Sequence, residues 1–188
     1  MIYIYKFLNF LIKFIEGLVW FVKRKVLFHS LGSYGKNVNI GRWRNITPNT
    51  VYIGDNTSIG NGVIMQSTNS KIIIGSHVMF GPNVSIHGGN HRIDILGRYM
   101  KSISLSEKRI GIDDADVIVE DDVWVADSVI ILKGVKIGKG SVIGAGTIIY
   151  KDVPPYSIVT GSKMELRPRF TEDQIIEHES MLCINKSQ

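Results

Sequence analysis

The chain has 188 residues, of which 44% are hydrophobic, so one domain with a sizeable core is expected and a disordered chain is not. Its single cysteine, Cys183, excludes an intrachain disulfide framework and a cysteine-based zinc site. The net charge is +5, and residues 1–44 hold eight of the 22 Lys and Arg but one of the 17 acidic residues. This uneven charge predicts that the N-terminal segment meets an anionic surface, and its apolar character favours lipid over nucleic acid.

Residues 1–30 are predicted to form an N-terminal amphipathic helix. Polar residues recur there every three to four positions and therefore share one helical face: Lys6, Asn9, Lys13 and Glu16. No uninterrupted apolar run approaches the ~18 residues of a spanning helix, and the pattern is not that of a signal peptide. Two interpretations stay open: the helix lies in a membrane interface, or it packs against the body or a neighbouring copy of the chain.

From residue 53 the sequence repeats with a period of six. The nine hexads are IGDNTS, IGNGVI, IGSHVM, FGPNVS, VEDDVW, VADSVI, ILKGVK, IGKGSV and IGAGTI. This period fits neither an amphipathic helix nor an alternating strand. It predicts an all-β solenoid over residues 31–166 with three short faces per coil, inward-pointing first and fifth positions, and Gly, Asn or Asp at the corners. The first positions are expected to stack in the core: Ile53, Ile59, Ile74, Phe80, Val119, Val125, Ile131, Ile137 and Ile143.

Between residues 86 and 119 the period fails, which predicts a protruding loop over residues 87–118. A loop of this length far exceeds the usual ~4–6 residues and is typical of a functional segment. It begins with His87 and His91 around a Gly-Gly-Asn turn. Because the ordinary pKa of histidine suits proton abstraction near neutral pH, and glycines let the backbone approach a ligand closely, the turn suits a general base.

Two other roles for these histidines stay open. A single histidine such as His91 commonly forms only a hydrogen bond to a loop carbonyl. His77, His87 and His91 could instead supply imidazoles to a metal between subunits, but no acidic pattern accompanies them and no metal site is predicted. His29 and His178 are interpreted as surface or end-cap residues.

Residues 167–188 are predicted to form a short C-terminal helix and a tail. Thr171 is the expected N-cap, Gln174 stands at the reciprocal capping-box position, and Pro168 ends the preceding segment. The helix is expected from Thr171 to Leu182. It and the N-terminal helix are the candidate covers for the two ends of the solenoid.

Three motifs resemble those of the hexapeptide-repeat acetyltransferases. They are GPNVSIHGGNHRID from Gly81, VEDDVWVADSVIILKGVKIGKGSVIGAGTIIYKDVPPYSIVTG from Val119, and RFTEDQIIEHESML from Arg169. The resemblance covers roughly residues 33–182 and extends to sugar and polysaccharide O-acetyltransferases and to xenobiotic acetyltransferases. It implies a left-handed parallel β-helix, a homotrimer with active sites between neighbouring solenoids, and acetyl-CoA as the acyl donor.

The resemblance also implies roles for individual residues. His91 matches the catalytic base, and Asn90, Arg92 and Asp94 are the substrate-binding candidates beside it. The candidates for acetyl-CoA binding are Trp124, Ala126, Asp127, Ala145, Tyr150, Lys151 and Arg167, with Arg169 as a looser one. Plainer roles stay open for Trp124, as a wall residue at a subunit interface, and for Lys151, as part of a solvated turn.

The chain departs from the family pattern in two places. Ala126 and Asp127 follow Trp124 and Val125 where members usually read Trp-Ile-Gly-Ala. The segment Gly-Ser-Lys-Met-Glu from Gly161 replaces the usual Gly-Asn-Pro-Ala-Lys ending. Both departures fall on the cofactor side and leave the expected base unchanged.

The sequence therefore predicts a cytoplasmic O-acetyltransferase that acts on a hydroxyl of a sugar or polysaccharide precursor. Peripheral contact with the inner face of the cytoplasmic membrane through residues 1–28 is expected, and a nucleic-acid partner is not. The alternatives are an antibiotic O-acetyltransferase, a non-catalytic trimeric scaffold and a metal-dependent hydratase. The loop residues Asp94, Arg98, Tyr99 and Lys101 are candidates for shaping the acceptor pocket.

Overall fold

The computed structural model describes residues 2–95, 99–161, 165–168 and 170–185. Within these ranges, helix α1 (Ile2–Ser30) leads into five coils of three short strands each. The first three coils contain β1 (Ser33–Tyr34), β2 (Asn39–Ile40), β3 (Asn45–Ile46), β4 (Val51–Ile53), β5 (Ser58–Ile59), β6 (Ile64–Gln66), β7 (Ile72–Ile74), β8 (Met79–Phe80) and β9 (Ser85–His87). The next two contain β10 (Val117–Val119), β11 (Trp124–Val125), β12 (Ile130–Ile131), β13 (Lys136–Ile137), β14 (Val142–Ile143) and β15 (Ile148–Ile149). The remaining elements are β16 (Ser157–Thr160), β17 (Glu165–Pro168) and α2 (Glu172–Asn185), with 3-10 turns at Pro48–Thr50, Met100–Ser102 and Leu105–Glu107.

Three sheets form the walls of the molecule. The first wall has the order β1-β4-β7-β10-β13, the second β2-β5-β8-β11-β14-β16-β17, and the third β3-β6-β9-β12-β15. Successive strands thus fall on successive walls, and the chain returns to each wall one coil later. The strands within each wall pair in parallel up to β16, which pairs in an antiparallel manner with β17. The predicted parallel-strand architecture is confirmed.

The six-residue period corresponds to one face of a coil and one corner. All nine predicted first positions are buried, with at most 5% of each residue exposed. The fifth positions are buried as well: Thr57, Val63, Val78, Val84, Val123, Val129, Val135, Ser141 and Thr147. The fourth positions make the corners, with φ between 54° and 76°: Asn56, Gly62, His77, Asn83, Asp122, Ser128, Gly134, Gly140 and Gly146. His77 is thus a corner residue of the coil.

Six of the nine hexads have a glycine after the apolar first residue, and the close approach of the next coil requires it at Gly75 and Gly81. A Cβ on Gly81 would lie 2.7 Å from the backbone nitrogen of Asp127, and one on Gly75 would lie 2.8 Å from that of Asp121. The side chain of Asp121 in turn accepts a hydrogen bond of 2.7 Å from the Ser76 amide. Neighbouring coils therefore touch backbone to backbone at this corner, where a side chain at the glycine would not fit.

The structure contains one more coil than the nine hexads indicate, and this coil precedes residue 53. It carries β1 to β3, and Ile40 is buried at its second face with 2% exposure. Asn37 makes its first corner, with φ of 55°. The repeat is hard to recognise there because polar residues and a proline occupy the hexads IGRWRN and ITPNTV.

The two helices meet the coils at opposite ends. Every residue from Tyr3 to Val19 of α1 is exposed, and contact with the body begins at Trp20, whose ring lies 4.5 Å from that of Trp43. Before α2, Thr171 and Gln174 form the reciprocal capping pair, with bonds of 3.0 and 3.3 Å. In the described part of the chain, neither helix combines the length and the apolar character needed to cross a bilayer.

Candidate functional site

A pocket of about 330 Å³ lies beside the C-terminal end of strand β9, where the long loop begins. Its lining residues are Thr47, Gln66, Ser67, Thr68, His87, Gly89, Asn90, His91, Leu105 and Lys108. The pocket thus brings together both histidines of the loop turn, the neighbouring strand β6 and the far part of the loop. Its polar groups are hydroxyls, amides, imidazoles and one ammonium.

Backbone hydrogen bonds hold the turn that carries His91. The Gly88 amide donates to the Gln66 carbonyl at 2.8 Å, and the Gly88 carbonyl accepts from the Ala115 amide at 2.9 Å. Two residues further, the Asn90 amide donates to the Asp113 carbonyl at 2.8 Å. The start and the end of the loop are therefore bonded to each other, which fixes the position of the residue that follows Asn90.

The two glycines of this turn make room for the protein's own side chains. A Cβ on Gly88 would lie 2.6 Å from the hydroxyl oxygens of Ser67 and Ser70, and one on Gly89 would overlap the Asp114 carboxylate. The sequence suggested that these glycines admit a ligand. In the structure, close approach of a buried serine pair and a buried carboxylate is what requires them.

The Asp114 carboxylate behind the turn is fully buried and paired with Lys108. The Asn69 side-chain amide donates a hydrogen bond of 2.8 Å to its other oxygen. The Lys108 side chain is 8% exposed and also lines the pocket. Neither Lys108 nor Asp114 is predicted from the sequence, because the loop contains several acids and cations and no periodicity separates the buried ones from the solvated ones.

A second set of ion pairs joins parts of the loop to each other outside the pocket. Arg109 binds Asp113 through Nε at 3.0 Å and Nη2 at 3.1 Å, and it contacts Asp94 through Nη1 at 2.8 Å. Arg92 donates from Nε to Asp94 at 2.8 Å. The hydrogen bonds from Arg109 lower the pKa of Asp113 to about 2, and that from Arg92 lowers the pKa of Asp94.

The predicted substrate residues therefore fall into two groups. Asn90 lines the pocket with His91, whereas Arg92 and Asp94 form the ion pairs described above. Tyr99 is 88% exposed and Lys101 is exposed on the 3-10 turn that follows it. The predicted roles of Arg98 and Arg169, and the departure at Ser162, Lys163 and Met164, lie outside the described residues.

The predicted cofactor residues lie at two corners of the coil. Ala126 and Asp127 precede β12, and Ala145 precedes β15 one coil later, where the Gly146 amide bonds the Asp127 carbonyl at 2.9 Å. Tyr150 and Lys151 follow β15, so they lie at the C-terminal ends of the strands of the third wall, opposite the corner of Asp127 and Ala145. This second corner is the one from which the His91 turn leaves, two coils earlier.

Two further cofactor candidates lie on the second wall. Trp124 is 48% exposed in β11 and pairs in register with Met79 and Val142. Arg167 lies in β17, where its backbone pairs with Ile158 of β16. Within a single chain the seven predicted cofactor residues therefore do not line one common groove.

Among the described residues, no group of three His, Cys, Asp or Glu side chains is placed to bind a metal ion. His77 lies at the corner between the first and second walls. His87 is the last residue of β9 in the third wall, and His91 follows it in the turn that begins the long loop. The three histidines are therefore not brought together within one chain.

Comparison with known proteins gives one family match and several structural ones. The model described as bacterial transferase hexapeptide (six repeats) matches residues 116–151. A maltose O-acetyltransferase from Clostridium difficile 630 is 31% identical with a TM-score of 0.65, and the alignment covers 79% of this chain and 75% of that one. No curated protein gives a significant sequence match.

Two other solved structures share the architecture. A hexapeptide-repeat-containing acetyltransferase from Vibrio cholerae O1 biovar eltor, complexed with acetyl coenzyme A, is 27% identical with a TM-score of 0.66, over 79% of this chain and 76% of that one. A galactoside acetyltransferase in complex with coenzyme A is 21% identical with a TM-score of 0.64, over 80% and 72% of the two chains. At 21% identity the likeness concerns the fold alone.

Proposed function

The chain belongs to the hexapeptide-repeat acetyltransferases, a family of acyltransferases, and from this premise we propose that it transfers an acetyl group from acetyl-CoA to a hydroxyl of a sugar, with His91 as the general base. The observation that carries the proposal is the pocket that His91 lines. Hydroxyl and amide side chains surround the imidazole there, among them Thr47, Gln66 and Asn90. Such groups donate to and accept from the hydroxyls of a polyol.

The proposed reaction is a direct acyl transfer. The neutral imidazole of His91 takes the proton from the acceptor hydroxyl while the hydroxyl oxygen attacks the thioester carbonyl carbon. The tetrahedral intermediate then expels the CoA thiolate, the carbon–sulfur bond breaks, and the imidazolium returns the proton to sulfur. Hydrogen-bond donors must meet the oxyanion of the intermediate, because the negative charge develops on that oxygen.

The arrangement of cofactor candidates supports a homotrimer as part of this proposal. Asp127 and Ala145 lie at one corner of the coil, whereas Tyr150, Lys151 and the His91 turn lie at the other. A neighbouring copy would bring the first corner of one chain beside the second corner of the next. In this arrangement the acetyl-CoA groove between two solenoids is formed by the seven cofactor candidates: Trp124, Ala126, Asp127, Ala145, Tyr150, Lys151 and Arg167.

The finer points of the proposal follow the family resemblance. The coil is left-handed, residues 31–166 are the catalytic solenoid, and the loop over residues 87–118 carries the base. The acceptor is a precursor of a polysaccharide, with Arg92 and Asp94 as substrate-binding candidates beside Asn90. Peripheral contact of residues 1–28 with a membrane belongs to the same proposal.

Substitution of His91 tests the proposed base. His91→Ala is expected to lower acetyl transfer by about 10²–10⁴-fold, since this is the usual contribution of a general base. Thiol release from acetyl-CoA with maltose, galactosides and nucleotide sugars as acceptors measures the rate. Acetyl-CoA binding, measured by calorimetry, is expected to stay unchanged. His77→Asn is the matched control, because His77 lies at a coil corner where asparagine accepts the same positive φ.

The same assay separates the competing functions. Full activity of the His91→Ala variant toward every accepted sugar would refute the assigned base. Preference for chloramphenicol or streptogramin A over all sugars would replace the sugar acceptor by an antibiotic. Absence of acetyl-CoA binding in the calorimeter would favour a non-catalytic scaffold.

A further inference from the structure

Helix α1 turns its apolar side away from the coils. Lys6, Asn9, Lys13 and Glu16 lie three to four residues apart, and the same spacing continues through Trp20, Arg24 and Leu27. These last three residues contact the body, since Trp20 packs on Trp43, Arg24 donates to Asn39 at 3.2 Å and Leu27 is buried in the core. The polar stripe is therefore the continuation of the body-facing side, and the large apolar residues lie on the other sides.

The apolar side is extensive and exposed. It carries Phe7, Leu8, Leu11, Phe14, Ile15, Leu18 and Val22, each at least 40% exposed. With 29 residues, α1 is about 43 Å long. An exposed apolar surface of this extent is typical of an interaction site.

A pocket of about 520 Å³ lies between the last turns of α1 and the first coil. It is lined by Phe21, Arg24, Lys25, Phe28, His29, Tyr34 and Val38, and will be called the α1 pocket. Its lining includes two permanent cations and an imidazole and no acidic side chain. A pocket with this balance of charge suits an anion.

Aromatic rings orient the two cations of the α1 pocket. The Arg24 guanidinium carbon lies 5.5 Å from the centre of the Phe28 ring, and the Lys25 ammonium lies 5.7 Å from that of Phe21. The ring of Tyr34 meets that of Phe28 edge to face at 4.9 Å. Both cations thus lie against aromatic rings that also line the pocket. A guanidinium held in this way presents a planar pair of donors that matches a phosphate.

The α1 pocket lies where the apolar side of the helix meets the body. Phe21 stands on the boundary between the two, and Lys25, one turn later, lies on the same side of the helix as Phe7, which is 18 residues earlier. A helix that lies in a bilayer interface buries its apolar side by ~5–10 Å, which places the phosphates of the lipid headgroups beside its polar boundary. In that position the cations of the pocket would lie near those phosphates.

We propose that the α1 pocket binds the phosphate of an anionic phospholipid headgroup while the apolar side of α1 lies in the bilayer interface. The inference deepens the proposed membrane contact of residues 1–28 and rests on it, and it is independent of the acetyl transfer reaction. Charge decides between lipid and a second copy of the chain as the occupant. α1 carries five cations and a single acid, so two such helices repel each other, whereas an anionic lipid surface attracts both.

Vesicle binding of the full-length chain tests the site. Co-sedimentation is measured with vesicles of phosphatidylcholine alone and of phosphatidylcholine mixed with phosphatidylglycerol. The wild type is expected to partition preferentially to the anionic vesicles. The variant Arg24→Gln/Lys25→Gln is expected to lose partitioning by about 25-fold, since each cation near an anionic surface contributes roughly fivefold. The control Lys36→Gln/Lys71→Gln removes the same charge from exposed positions on the coils and is expected to bind as the wild type does.

Two further variants separate a site from general attraction. Arg24→Lys keeps the net charge but removes the planar pair of donors, and it is expected to weaken binding to the anionic vesicles. Leu11→Ser/Phe14→Ser is expected to weaken binding to both kinds of vesicle. Circular dichroism checks that each variant keeps its helix and sheet content.

The outcomes are distinct. Equal losses for the pocket pair and the control pair, with Arg24→Lys unchanged, would overturn the headgroup site and leave the membrane contact in place. Failure of the wild type to bind either vesicle would overturn both. If Leu11→Ser/Phe14→Ser dissociates an oligomer and leaves vesicle binding unchanged, the occupant of the apolar side is a second copy and the proposal is wrong.

Discussion

Lys108, which lines the same pocket as His91, forms a buried ion pair with Asp114 behind the Gly88–Gly89 turn. The Asp114 side chain is fully buried, and that of Lys108 is 8% exposed. The pair joins the far part of the loop to the Gly88–Gly89 turn, because Gly89 pairs with Asp114 in a backbone bridge. The position of His91 therefore depends on two residues that lie more than a dozen positions further along the chain.

Asp114→Asn is expected to disorder the loop. The change keeps the shape of the side chain but leaves Lys108 as a buried cation without its partner, and breaking a buried pair in this way typically removes about 3–5 kcal/mol of stability. Limited proteolysis is expected to cut the loop, and acetyl transfer is expected to fall while binding of acetyl-CoA persists. The double variant Lys108→Gln/Asp114→Asn removes both charges and is expected to recover part of the loss. A single variant as resistant to protease as the wild type would contradict this role.

Acid is expected to weaken the attachment of the loop, because it protonates the Asp113 carboxylate. The hydrogen bonds from Arg109 lower the pKa of Asp113 from 3.8 to about 2 in the folded chain. A lowered pKa means that the ionised form stabilises the fold, so this stability is present above about pH 4 and is lost as the pH falls through about 2. Pepsin cleavage within the loop is measured between these two pH values. The wild type is expected to be better protected than Asp113→Asn at pH 4, and the difference is expected to vanish towards pH 2. A constant ratio across this range would show that Asp113 does not anchor the loop.

Gly81→Ala is expected to lower the free energy of unfolding by about 1–3 kcal/mol. The added Cβ would lie 2.7 Å from the Asp127 amide nitrogen of the next coil, so the coils must move apart. Gly17→Ala is the control, because nothing lies within 4 Å of a Cβ at that helical position and alanine favours a helix by up to ~1 kcal/mol. Thermal and urea unfolding of both variants measure the difference. Equal stabilities would mean that the coils can separate at this corner without loss.

Glu179→Gln is expected to loosen α2 and leave the coils unchanged. The Glu179 carboxylate accepts bonds of 2.7 and 2.8 Å from Lys139 and a further bond from the Tyr156 hydroxyl. The pair with Lys139 is partly solvated, so its loss is expected to change the global stability by no more than about 1 kcal/mol. Hydrogen exchange of the α2 amides is expected to accelerate, whereas in the control Glu177→Gln it is expected to match the wild type. Unchanged exchange in Glu179→Gln would show that other contacts hold the helix.

The sequence determined the coil because the coil is built from short-range rules that recur. The residue types within each hexad indicate which positions point inward and which position turns the corner. In one hexad of the structure, Ile131 and Val135 are buried and Gly134 turns the corner with a positive φ. The limits of the long loop and the capping pair of α2 follow from equally local patterns. The parallel walls and the core were therefore predictable before any coordinates.

Tertiary structure alone decided what the irregular parts do. The partnership of Lys108 with Asp114, the use of Gly88 and Gly89 by the protein's own side chains, and the ion pairs of Asp94 all depend on how a long loop returns to its start. The same holds for the face of α1 that meets the first coil. Such contacts join residues far apart in the chain and follow no period, and the free energy of burying a charge or a ring is decided only by what the folded chain places around it.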